Sequence, residues 1–143
     1  MSFDQLIVVV PTVIVAFLVA YKFKPFSELS VARPSFSVLP KYFVSVHIPE
    51  SVILSETPSK SLESMLSSLD FKLEQTTESE IRLVRGSVLG DFSLKIAKVR
   101  VSAPLPLLSA TRIRVEYGSF AAFDTGDLWK FCRELQEKLG TAA

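Results

Sequence analysis

Few residues in this chain could do chemistry. Residues 123–129 read FDTGDLW. A carboxylate held in an Asp-Thr-Gly turn can share a proton with a second one, and the pair can then act as acid and base on a peptide bond. Two copies of a short chain could each supply one such turn. Besides Asp124 and Asp127, the chain has one histidine, His47, and one cysteine, Cys132. A basic set completes the inventory: Lys98, Arg100, Arg112 and Arg114, with Arg82, Arg85 and Lys95 before them.

The sequence around FDTGDLW argues against catalysis. Aspartic proteases build a flap and further strands after their triplet, whereas only 17 residues follow Gly126 here. Those residues read as one amphipathic helix, about Thr125 to Leu139. Leu128, Phe131, Cys132, Leu135 and Leu139 form its buried stripe and Gly140 its stop. Asp124 is then the N-cap, Asp127 sits at N3 near the positive end of the helix dipole, and Phe123 staples to Leu128. On this reading Gly126 is merely tolerated in the first turn, and asparagine would cap at 124 as well as aspartate.

The other candidates fare no better. Asp124 and Asp127 alone make a poor cation cage. One histidine and no Cys-x-x-Cys pair do not make the usual zinc sites. His47 is expected on the polar face of a strand, and Cys132, on an apolar stripe, as a buried inert thiol. The sequence therefore assigns no catalytic, cofactor-binding or metal-ligating residue, and the chain is expected not to be an enzyme. From residue 41 onward there are 13 basic and 13 acidic residues, so a nucleic-acid partner is not expected. The stretch Arg85 to Gly90 lacks the Lys-Ser/Thr ending of a phosphate loop.

What positions these residues begins with a hydrophobic run. Leu6 to Ala20 (LIVVVPTVIVAFLVA) carries no charge and one hydroxyl, Thr12. Extended from Phe3 to Tyr21 it would span roughly 28 Å as a helix, close to the bilayer hydrocarbon core. A cleaved leader would want a basic start and a small-residue cleavage site. Here only Asp4 precedes the run, and Tyr21-Lys22-Phe23-Lys24 follows it. Residues 1–24 are thus read as a retained single-pass anchor, with Leu6, Val10, Ile14 and Leu18 in lipid contact. Pro11 is tolerated in such a helix. Lys22, Lys24 and Arg33 after the run place the N-terminus outside and the remainder on the cytoplasmic or equivalent side. A lone cysteine gives no sign of an oxidising compartment.

Residues 25–41 hold Pro25, Pro34 and Pro40 among serines and read as a linker without regular structure. Its apolar residues imply that it lies against the head, the membrane surface or a partner. Residues 42–143 read as an α+β head. A strand at 42–48 alternates, and Thr57-Pro58 opens a helix over 58–69 with Thr57 as cap. Strands follow at about 71–77, 80–86, 93–103 and 111–120, then the closing helix. The order β-α-β-β-β-β-α favours an antiparallel sheet with both helices on one face. It is similar to the order of the TATA-binding-protein-like fold, an analogy that implies no DNA binding.

Two contact surfaces follow. Alternation in TRIRVEYGSF puts Arg112, Arg114 and Glu116 on the face away from the core, beside Lys98 and Arg100. In a meander like charges would approach one another, to be offset by cross-strand glutamates, acidic partner groups or phospholipid headgroups. The segment PLPLLSA offers Leu105, Leu107 and Leu108 either to the core or to a neighbour. The leading expectation is an accessory, assembly or stabilising subunit of a larger membrane complex, with other subunits and the bilayer as partners. The alternative is a tethered module binding a lipid or other apolar ligand.

Overall fold

The computed structural model describes residues 1–30, 32–38, 40–48, 50–54, 57–86, 98–108, 110–118 and 123–142. It opens with helix α1 (Phe3–Phe23). Ser2 and Gln5 cap the start reciprocally: the Gln5 amide donates to Ser2 Oγ at 3.3 Å and the Ser2 amide to Gln5 Oε1 at 3.1 Å. Thr12, the one hydroxyl within the apolar run, donates to the Val8 carbonyl at 2.7 Å. No residue of α1 is buried, and the helix is long and apolar enough to cross a membrane.

The rest is a mixed α+β unit. In chain order come β1 (Ser27–Glu28), β2 (Ser37–Val38), β3 (Lys41–His47), α2 (Glu50–Ile53), α3 (Pro58–Ser67), β4 (Lys72–Thr76) and β5 (Glu80–Arg85). Then follow β6 (Val99–Pro104), β7 (Ala110–Tyr117), β8 (Phe123–Asp124) and α4 (Asp127–Ala142). The main sheet runs β1-β3-β7-β6-β5-β4, so the first long strand pairs with the last, and β2 and β8 form a separate two-stranded ribbon. Five strands pair antiparallel, but β1 adds to β3 in parallel, so the sheet is mixed rather than wholly antiparallel. The parallel edge arises because the chain leaves β1 and returns through the ribbon before entering β3.

Alternation sorts the strands into two faces. Val44, Val46, Ile81, Leu83, Val101, Ile113, Val115 and Tyr117 point inward, and each is at most 3% exposed. Leu62 and Leu66 of α3 and Leu128, Cys132, Leu135 and Leu139 of α4 join them in one cluster, so both helices lie over the same face. Met65, Leu69 and Phe131 border it half-buried.

Several bounds differ from the sequence reading. Helix α4 starts at Asp127, which therefore occupies N1, not N3, and it continues through Gly140 to Ala142. Gly140 is no stop, since the helix runs through it, and a Cβ there would meet nothing within 4 Å, so no neighbour requires glycine at that position. Thr57 precedes α3 as expected, but its side chain makes no capping bond. Instead α3 closes at its other end. Asp70 adopts φ 68°, and the Phe71 amide bonds back to the Leu66 carbonyl at 3.1 Å, burying Phe71. The expected strand starts at 93–97, with Lys95, lie outside the described residues.

The stretch expected to lack regular structure is the largest departure. The linker contributes β1 and β2, and it is bound to the start of α4. Ser37 and Val38 pair with Asp124 and Phe123. Trp129 Nε1 donates to the Ser30 carbonyl at 2.8 Å, and Arg33 donates to the Thr125 carbonyl at 3.3 Å and to Asp127 Oδ1 at 3.4 Å. Its prolines and serines forbid long elements but leave two-residue strands available wherever a neighbouring edge offers partners.

Candidate functional site

FDTGDLW is the clasp for this linker. Asp124 is fully buried, and its carboxylate accepts from three donors. The Tyr117 hydroxyl donates to Oδ1 at 3.0 Å, the Asp127 amide to Oδ1 at 3.1 Å, and the Leu128 amide to Oδ1 and Oδ2 at 3.3 and 3.2 Å. It accepts from the first amides of α4, but from β8, two residues before the N-cap position now held by Gly126, rather than from the N-cap position expected of it, and it also ties β7 to that helix. Burial, reinforced by the Asp124 charge, pushes the Tyr117 phenol far up, so it stays a donor. Gly126 is required rather than tolerated. Its φ is +89°, and a Cβ would lie 2.5 Å from the Pro34 carbonyl oxygen. Burial, and then the nearby Asp124, hold the Cys132 thiol well above its ordinary range, which fits an unreactive core thiol. The side chains of Phe123, the expected staple, and His47 lie outside the described residues.

The charged face of the sheet lies opposite α3 and α4, and the last turns of α1 lie across it. Tyr21 donates its hydroxyl to the Tyr117 carbonyl at 2.8 Å. Lys41, only 5% exposed, sits with Nζ 4.6 Å from the Tyr21 ring centre and 5.4 Å from that of Phe26, and 3.7 Å from Glu116 Oε2. Two aromatic faces and one carboxylate make burial of this ammonium tolerable. Phe26 packs on Phe43 with ring centres 5.3 Å apart. Between the helix end and the sheet remains a cleft of about 720 Å³. Leu18, Val19 and Phe23 form its apolar wall. Its floor is Arg82, Arg100, Ser102, Arg114, Glu80 and Glu116, with Lys22 at the rim.

The register resolves the expected repulsion. Arg100 stands opposite Glu116, Ser102 stands between Arg82 and Arg114, and Arg112 faces Ser45. No two arginines of this face are direct cross-strand partners in these ladders. Glutamates neutralise part of this face. Glu74, at a bulge in β4, takes Arg100 on both oxygens at 2.9 and 3.2 Å, and that hydrogen bonding holds its carboxyl below the ordinary range. Glu28 pairs with Arg112, whose guanidinium also lies 4.1 Å from the Phe43 ring centre. Arg82 and Arg114 share a single oxygen, Glu80 Oε1, at 3.4 and 3.2 Å. Two guanidiniums on one carboxylate leave a local positive excess.

Of the residues singled out from sequence, Leu18, Lys22, Arg82, Arg100, Arg114 and Glu116 meet in the cleft. Leu6, Val10 and Ile14 lie exposed further along α1. Arg112 lies beyond the cleft against Glu28, and the stem of Lys98 covers Gly118. The proline-rich loop divides: Leu107 is buried, Leu105 half-buried on the core, and Leu108 66% exposed. Tyr21, Phe26, Lys41, Glu74 and Glu80 were not singled out. The aromatic and basic residues closing the apolar run were the one signal for such a junction. No family model matches the chain, and neither the curated proteins nor the solved structures gave a match.

Proposed function

We propose that this chain is a single-pass membrane protein whose α+β head works by contact, as an accessory or stabilising subunit of a larger membrane complex. The observation that carries the reading is the way the head is joined to the apolar helix. A head on a free tether would explore a wide volume above a membrane. Here Tyr21, Lys41 and Phe26 fix the helix end to the sheet, and the linker is bound to the start of α4. Anchor and head thus form one body, which suits a part that must hold a fixed place beside neighbours. The exposed Leu108 and the apolar flank of α1 supply surface for such neighbours. Lys22, Lys24 and Arg33 after the helix favour the head on the cytoplasmic or equivalent side.

Purification of the full chain from its native membranes in mild detergent tests this reading. A second protein co-eluting in fixed ratio is expected. A chain that elutes alone as a monomer refutes it. Resistance to alkaline extraction checks the anchor, and protection of the C-terminus from added protease in sealed vesicles checks its sidedness.

A further inference from the structure

We infer that the cleft between α1 and the charged sheet face binds an anionic phospholipid, its phosphate at Arg82, Arg114 and Lys22 and an acyl chain along Leu18 and Val19. The inference rests on reading α1 as a membrane anchor. Three observations converge on it. The first is amphiphilic lining: one wall is the apolar helix surface and the opposite floor is cationic. A sugar or a free metabolite has no use for the first, and an uncharged acyl ligand has none for the second.

The second is incomplete neutralisation in one place. Arg100 is satisfied by both oxygens of Glu74, and Lys41 by Glu116 and two rings. Arg82 and Arg114 compete for one oxygen of Glu80, and Lys22 has no carboxylate partner among the described residues. An incoming phosphate oxygen would relieve that competition with charge-assisted, forked hydrogen bonds, which guanidinium groups form well.

The third is position. The cleft adjoins residues 18–23, where a helix of this length leaves the hydrocarbon and enters the headgroup layer. At that depth Leu18 and Val19 meet acyl chains while Lys22 meets phosphates. The volume also fits, since small-ligand sites run from roughly 300 to 1,000 Å³ and this one holds about 720 Å³.

The test uses the full chain in mild detergent, titrated with phosphatidylglycerol or with phosphatidylcholine of equal chain length, and read by native mass spectrometry. Preferential retention of phosphatidylglycerol is expected. Arg82→Gln and Arg114→Gln should each reduce that preference about fivefold, the weight of one basic residue near an anionic surface. Arg133→Gln, on α4 across the sheet, should leave it unchanged. Glu80→Gln removes the competing carboxylate and should raise the preference, a gain that misfolding cannot mimic. Equal retention of the two lipids overturns the inference, and so does a Glu80→Gln variant without a gain. Inorganic phosphate that competes as effectively as phosphatidylglycerol overturns the lipid assignment. Release of the chain by alkaline extraction would defeat the anchor reading alone, since lipid selectivity in detergent still reports on the cleft.

Discussion

Asp124 carries a prediction that separates a surface cap from what the structure contains. At an exposed N-cap, asparagine replaces aspartate at almost no cost. Asp124 is fully buried and binds three donors, so alanine and asparagine there should have different consequences. Asp124→Ala removes the cap, about 1 kcal/mol, and orphans the hydroxyl of Tyr117, a residue only 2% exposed. A buried donor without a partner costs roughly 1–3 kcal/mol, so the total should be about 3 kcal/mol. Asp124→Asn keeps an oxygen for Tyr117 and Asp127. It replaces the Oδ2 acceptor of the Leu128 amide with an NH₂, leaving that amide only its bond to Oδ1 at 3.3 Å, and it loses the charge-assisted strength of every bond, for about 1–2 kcal/mol. Urea unfolding of the full chain in detergent, followed through the single Trp129, measures both. If alanine and asparagine both fall within about 0.5 kcal/mol of the parent, the carboxylate does not tie β7 to α4.

Gly126 and Glu74 each give a further outcome. Gly126→Ala should cost about 2 kcal/mol or more through its left-handed backbone and the Pro34 clash, and should shift Trp129 emission to the red as the linker lifts from α4. An unshifted spectrum with parental stability would contradict the clasp. Because Glu74 titrates below its usual value when folded, its pairing with Arg100 contributes fully above pH 4.5 and is lost as pH falls through the lower folded value. At this partly exposed site, Glu74→Gln should cost about 0.5 kcal/mol near neutrality and nothing in strong acid. A penalty that does not shrink as pH falls below 4.5 would rule out an ionic origin.

The sequence revealed what repeats. The stripe of Leu128, Cys132, Leu135 and Leu139 and the alternation of Ile113, Val115 and Tyr117 are local periodicities, and burial of one face enforces them. It did not reveal what pairs at a distance. The strands at 27–28, 37–38 and 123–124 are too short for any pattern and exist only through their partners. Gly126 reads as an ordinary first-turn glycine until Pro34 is seen beside it. The basic face was legible from Arg112, Arg114 and Arg100, and Glu116 with it, but the counter-charges Glu28, Glu74 and Glu80 were not. Glu28 and Arg112 stand 84 residues apart, and Tyr21 meets Tyr117 across 96. The cleft is the product of such meetings, so no single stretch announces it.

The seating of Tyr21 on the Tyr117 carbonyl also has a mechanical meaning. A helix fixed to a sheet at its end transmits torque. Each residue added to or removed from α1 turns one end against the other by roughly 100° and shifts it by about 1.5 Å. With the linker bound to α4, no slack absorbs that turn. The helix works as a keyed shaft: its length in residues sets the compass bearing of the head, and with it the direction in which Leu108 and the charged face look.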